Sequence, residues 1–152
     1  MLALPQLLRP ARPEEAGELS ALALRSKAHR GYDETFLAAC REELTLRPED
    51  TSRTVVAEQD GRVVGFVTLA GEPPVGELAM LFVDPPAIGR GIGSLLHARA
   101  TATATLEGFT RLTVTADPHA EAFYLARGAR RTGSEPSGSI PGRELPLLTI
   151  DL

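Results

Sequence analysis

The chain of 152 residues has a single cysteine, Cys40, and no tryptophan. One thiol excludes an intrachain disulfide, so stability must come from core packing, and a reducing, cytoplasmic setting is the expectation. Histidine is scarce as well. His29, His97 and His119 lie far apart, without ligand-like spacing, so no metal site is indicated. Cations do not predominate: the net charge is −4, which gives no general attraction to nucleic acid, and the short cluster Arg127, Arg130, Arg131 reads as a solvated face. Nor is there a long apolar run. The opening MLALPQLLRP is broken by two prolines and too short for a membrane span, so no membrane association is expected.

What is present is an ordinary globular composition, with 43% hydrophobic and 24% charged residues. That suits one domain, residues 1–152, with a sizeable core. Leu4, Leu7 and Leu8 before Arg9 suggest an edge strand. Residues 13–28 carry Ala16, Leu19, Leu22 and Ala23 at helical spacing behind Pro13, Glu14 and Glu15, which suit a first turn. A second helix is expected from an Asp33 cap, with Phe36, Leu37, Cys40 and Leu44 on one face and Pro48 as its stop.

The rhythm then changes. TVVAEQ and RVVGFVTLA, rich in β-branched residues, flank Asp60-Gly61, a strong hairpin signal because both turn residues need positive φ. A third strand is read over residues 77–86 (ELAMLFVDPP). From Gly91 a helix is expected with Ile92, Leu95, Leu96, Ala102 and Leu106 on one side. The run ATATAT inside it favours a strand locally, but alanine and the helical flanks outweigh it. RLTVTA is a strand, HAEAFYLARGA a short helix closed by Gly128, and LPLLTIDL a last strand. The order predicts a mixed α/β sheet, antiparallel at first, with one parallel pair from a strand–helix–strand crossover and helices on both faces.

The chemistry concentrates where the third strand runs into a helix, at Val83-Asp84-Pro85-Pro86-Ala87-Ile88-Gly89-Arg90-Gly91-Ile92-Gly93-Ser94. A helix N-terminus offers unpaired N–H groups and the positive end of the dipole, and glycines let a ligand approach the backbone. That is a phosphate or pyrophosphate site. The dinucleotide fingerprint fails because Ser94 or Leu96 stands where its third glycine belongs, and a P-loop fails because no lysine is present. The stretch resembles the acyl-CoA signature of the GNAT (Gcn5-related N-acetyltransferase) superfamily, Gln/Arg-x-x-Gly-x-Gly/Ala, aligned at Ile88–Gly93. Gly91 and Gly93 match, and Ile88 departs from the usual Gln or Arg. A second block, Asp117 to Ala129, is similar to the family's Asp-Pro-Asn-Ala-x-x-Phe-Tyr-x-x-x-Gly-Ala/Phe, with His119 in place of Asn. The resemblance covers residues 54–152 well and the earlier part by helix pattern.

The resemblance implies a GNAT fold, a mixed and mostly antiparallel sheet whose one parallel strand pair splays, and acetyl-CoA as cosubstrate. It implies cofactor contacts from the backbone of Leu81, Phe82 and Val83, from Ile88, Gly89, Arg90, Gly91, Ile92, Gly93 and Ser94, and from His119 and Phe123. Tyr124 is the implied general acid for the departing thiolate and Glu77 the implied base for the amine, with Glu72 and Asp84 as weaker stand-ins. His97, one turn beyond Ser94, reads as a surface residue. The segment Ser26–Tyr32 and the loop Ser137–Arg143 are expected on the acceptor side. The implied reaction is N-acetylation of an amine of unspecified identity, by direct attack in a ternary complex. A non-catalytic acyl-CoA sensor or interaction module on the same fold is the competing reading, favoured by Ile88 and His119. A homodimer is common among relatives, and the sequence leaves oligomeric state open.

Overall fold

The structure, a computed structural model, describes residues 7–152. The first edge strand, β1 (Leu7–Pro10), pairs antiparallel with β2 (Thr54–Gln59); Leu4 lies outside the described residues. Arg9 pins β1 in place. Its guanidinium takes both Glu15 carboxylate oxygens, at 2.8 and 2.9 Å, and Glu58 at 2.7 Å. These side chains are largely withdrawn from water, where charge-assisted bidentate bonds count for more than exposed pairs.

The first helix begins as a short 3-10 turn at Pro13–Glu15 and continues as α1 (Ala16–Ala28), burying Ala16, Leu19, Leu22 and Ala23 as the spacing predicts. Next comes α2 (Glu34–Cys40), capped by Asp33, whose carboxylate accepts the Phe36 N–H at 2.8 Å. It stops at Cys40, well before Pro48. Leu44 and Leu46 are both buried, and residues two apart cannot share one helix face, so the chain turns instead.

β2 and β3 (Arg62–Glu72) form the expected hairpin, with φ of 52° at Asp60 and 77° at Gly61. β4 (Val75–Val83) follows antiparallel to β3; it starts before Glu77 and ends before the prolines, which go into a 3-10 turn at Pro85–Ala87. After it come α3 (Ile92–Leu106), β5 (Arg111–Thr115), α4 (Glu121–Leu125), β6 (Arg130–Pro136) and β7 (Glu144–Asp151). Among the described residues seven strands lie in the order β1-β2-β3-β4-β5-β7-β6, and only β4–β5 is parallel.

Alternate strand residues feed two cores, one on each face. Val56 and Phe66 pack under α1 and α2, whereas Ala57 and Val67 face α3 and α4. The buried stripe of α3 is Ile92, Leu96, Ala100 and Ala104, with His97 beside it. This corrects the expected face: Ala102 is exposed and Leu106 is 89% exposed. Spacing of four residues, with small side chains at 100 and 104, brings the helix close to the sheet. The ATATAT run is helical throughout. Its hydroxyls at Thr101 and Thr105 bond back to the Ala98 and Thr101 carbonyls instead of competing for strand pairing.

Candidate active site

The site begins where two strands part. The parallel pairing of β4 with β5 covers only Val75↔Arg111, Gly76↔Leu112 and Glu77↔Thr113. Beyond Glu77, β4 keeps its β3 partner as far as Gly65↔Val83, but its other edge carries no strand. β5 meanwhile pairs with β7 out to Thr115↔Leu147. A bulge follows the parting point: Thr68 pairs with Met80 and Leu69 with Leu78, which leaves Ala79 as an extra residue. Side chains change face there. Leu78 packs with the α3 core and Met80 with the α1 core, while Leu81 and Val83 turn toward α3. Bulges re-aim side chains in this way next to functional sites. The sequence hides it, because Leu78–Val83 is a continuous apolar run.

The parted strands open a cleft of about 800 Å³. Its lining includes the expected Glu77, Leu81, Phe82, Val83, Ile88, Gly89, Gly91, Ile92, Gly93, Ser94, Phe123 and Tyr124. Gly89 and Gly91 have φ of 88° and 81°, with no atom within 4 Å of where a Cβ would stand. Glycine is needed there for the backbone angle, and the missing side chains leave the start of α3 open. Gly93 is different. A Cβ there would sit 3.3 Å from the Phe123 ring, so this glycine lets α4 close against α3. Two expected contacts are not in the lining. Arg90 points to Gln59, 3.4 Å away. His119 is held by Asp117 at 2.9 Å and lies 3.2 Å from the Tyr32 hydroxyl.

Tyr124 is 5% exposed, and burial alone pushes its phenol well above the ordinary tyrosine value. Its ring meets Phe123 edge-on at 5.2 Å and lies 6.1 Å from His97. His97 is buried, contrary to the surface position expected of it, and its Nε2 has no hydrogen-bond partner. Burial and then the charge of Arg127 lower its pKa, favouring the neutral ring. The missed signal is that residue 97 falls one helical turn after Gly93, on the side where α4 closes in.

Glu77 stands at the last paired position before the strands part. Water still reaches it, yet partial desolvation by the cleft walls and then the charge of Glu135 raise its carboxyl above the usual range. The two stand-ins are otherwise placed. Asp84 is buried against Arg25 at 3.2 Å, and Glu72 pairs with Val75 at the far end of β3, outside the cleft lining. Cys40 is buried outside the lining too, with its thiol pushed up by burial.

Both expected segments reach the cleft: Ser26, Lys27 and Arg30 at and just after the end of α1, and Gly138 of the loop Ser137–Arg143, which is joined there by Glu135 and Pro136 at the end of β6. Asp117 ties them together, accepting from Lys27 at 2.7 Å and from the Tyr32 hydroxyl at 2.9 Å. Arg143 donates to that hydroxyl at 2.8 Å and lies 4.7 Å from the Phe36 ring centroid. Burial would raise the Asp117 carboxyl, but the hydrogen bonds from Lys27 and the His119 N–H outweigh it and hold it far below the carboxylate range. Among the described residues no cluster of three or more His, Cys, Asp or Glu side chains could hold a metal ion, and no helix is long and apolar enough to cross a membrane.

A parted parallel strand pair, with a glycine-lined helix start at one side, matches what comparison finds. The family model of the acetyltransferase (GNAT) family fits residues 14–129. The chain belongs to this family. Its members use acetyl-CoA as cosubstrate. The peptidyl-lysine N-acetyltransferase YjaB of Salmonella typhimurium is 31% identical over 146 residues, covering 94% of this chain and 95% of that protein. A GCN5-related N-acetyltransferase structure from Rhodopseudomonas palustris, described as an aminotransferase, class II, superposes with a TM-score of 0.79 at 27% identity, over 100% of this GNAT chain and 98% of the other. The PaiA N-acetyltransferase of Thermoplasma acidophilum, solved with coenzyme A, shares the fold with a TM-score of 0.78 at 19% identity, over 96% and 98% of the two chains.

Proposed function

We propose that this GNAT protein transfers the acetyl group of acetyl-CoA to a primary amine, by direct attack within a ternary complex. The observation that carries this reading is the free edge of β4 beyond Glu77, facing a cleft that also holds Tyr124 and the glycine-lined start of α3. The residues fit the cosubstrate. Backbone groups of Leu81, Phe82 and Val83 along the free edge suit the amides of a pantetheine arm, which can add as a strand would. The open backbone at Gly89 and Gly91, with the N–H groups of α3, suits the pyrophosphate. Phe123 and Ser94 complete that end.

Acetyl-CoA supplies an activated thioester. Glu77, with its raised pKa, takes the proton of the attacking amine directly or through water, since a base poised nearer neutrality is the more effective one. As the new C–N bond forms, a β4 amide donates to the carbonyl oxygen where charge develops. As the C–S bond breaks, Tyr124 gives its proton to the sulfur; burial keeps the phenol protonated and ready. Exchange with solvent then restores both groups.

The acceptor side bears three carboxylates, Glu43, Glu77 and Glu135, against Arg30, while its Lys27 is already committed to Asp117. This balance favours a cationic acceptor. With YjaB named a peptidyl-lysine N-acetyltransferase, a lysine side chain in a peptide is the first acceptor to test. Thiol release from acetyl-CoA, followed with a panel of lysine peptides, free amino acids and polyamines, tests the reading. Turnover with a lysine peptide supports it. Tight binding of acetyl-CoA with no turnover on any amine would refute it in favour of a sensor.

A further inference from the structure

Arg127 is the cation that the sequence disguises. It follows α4 and sits four residues after Phe123, so its guanidinium lies over that ring, with Cζ 3.8 Å from the centroid. One nitrogen donates to the Phe123 carbonyl at 2.8 Å, and another to the hydroxyl of Ser94 in the first turn of α3. Its neighbours behave otherwise: Arg130 pairs with Asp151 and Arg131 with Glu121, both in solvent. Among the described residues Arg127 has no carboxylate partner, and it lines the cleft. The other lining cations are Lys27, paired with Asp117, and Arg30, from the acceptor-side segment.

A guanidinium with no counter-ion, fixed on an aromatic ring beside a helix N-terminus, is an anion site waiting for its anion. Stacking restricts the side chain in advance, so little freedom is lost when a phosphate arrives. The donors not used by Phe123 and Ser94 remain available, and the planar fork matches phosphate oxygens. Ile88, exposed and apolar at the loop itself, can supply no such charge.

We propose that Arg127 is a pyrophosphate-binding residue of the cosubstrate site, working with Ser94 and the first amides of α3 and supplying the cation that Ile88 lacks. The inference rests on the coenzyme A reading of the cleft. The pKa of His97, lowered by burial and then by the Arg127 charge, is consistent with a cation close to this wall, although Arg127 itself stays open to water.

Calorimetric titration of the full chain with coenzyme A and with dephospho-coenzyme A, which keeps the pyrophosphate but lacks the 3′-phosphate, tests this at several salt concentrations. Arg127→Gln should weaken both ligands about tenfold or more, the scale of a lost charge-assisted hydrogen bond. It should also flatten the salt dependence of binding. Arg127→Lys should recover part of the affinity and the salt dependence. Unchanged affinity would overturn the proposal, as would a loss with unaltered salt dependence, which marks a packing role. Loss confined to coenzyme A would assign Arg127 to the 3′-phosphate instead. If the unsubstituted protein bound neither ligand, the cleft reading itself would fall, and that is distinct from all these outcomes.

Discussion

Tyr124→Phe removes one oxygen and keeps the ring. The ring is what packs, edge-on to Phe123 and beside His97. Burial is the sole cause acting on the phenol's pKa, so no ion pair or hydrogen bond to a described residue is broken. Folding stability should therefore change by no more than about 0.5 kcal/mol. Turnover is another matter. Without the phenol the departing sulfur must leave as a thiolate, and loss of a positioned general acid costs roughly 10²–10⁴-fold, or about 3–5 kcal/mol of barrier. Thiol release at saturating acetyl-CoA and lysine peptide gives kcat, while calorimetry gives acetyl-CoA affinity. The expected result is a large fall in kcat with affinity nearly unchanged. Because burial holds the phenol protonated, the unsubstituted protein should show no alkaline loss of activity from Tyr124 up to about pH 10. Unchanged kcat, or affinity falling in step with turnover, would refute the general-acid role.

Glu77→Gln should lower kcat/KM and remove the part of its rise with pH that follows Glu77: the base works only when deprotonated and its pKa is raised, so in the unsubstituted protein activity climbs as pH passes through that raised value. A later rise, as the lysine amine itself loses its proton at about 10.4, stands apart from this one. An unchanged rise in the variant's pH–rate profile on the acid side, well below the ionisation of the amine, would acquit Glu77. Glu15 provides a stability test. The hydrogen bond from Arg9 overcomes burial and lowers its carboxyl from 4.5 to about 2. A lowered carboxyl contributes fully above its unfolded value and loses that contribution as pH falls toward 2, so about 3 kcal/mol, as an upper figure, should disappear between those limits. Glu15→Gln should destabilise the protein at neutral pH by a similar amount and flatten this acid limb in urea titrations. Gly91→Ala places a β-carbon at a φ of 81° with open space around it, so strain rather than collision applies. The melting curve should report a loss of about 1–2 kcal/mol, and coenzyme A affinity should fall with it.

Most of the fold is legible in the sequence because its signals are local. The Asp60-Gly61 turn, the Asp33 cap and the four-residue stripe of α1 each act within a few residues of chain. What was misread depends on partners elsewhere. α2 looks longer than it is because Leu44 fits its period, but burial of Leu46 as well ends the helix. The expected apolar face of α3 holds at Ile92 and Leu96, but the sheet selects Ala100 and Ala104 in place of Leu95, Ala102 and Leu106. The bulge at Ala79 is invisible in an unbroken apolar run, although it decides which core each β4 side chain joins.

The candidate site divides along the same line. Glycines at 89 and 91 announce the helix start by themselves, whereas Arg127 reads as one more surface arginine until α4 lays it across Phe123. His97 and Tyr124 show why the inner wall matters. One apolar setting raises the phenol and lowers the imidazole, so both remain neutral. The charges stand toward water: Glu77 and Glu135 on the proposed acceptor side, Arg127 beside the start of α3. Environments that push titratable groups apart separate the acid from the base. A protonated acid within the wall and a solvent-accessible carboxylate at the parting of the strands are what direct transfer between a thioester and an amine needs. Moving Glu77 into the wall would leave the base too buried to carry charge, and moving Tyr124 out of it would take the proton donor away from the cleft's inner end. The proposed reaction therefore asks different things of the two settings: a place for Tyr124 within the wall, and enough water at the parting of the strands for Glu77 to carry its charge.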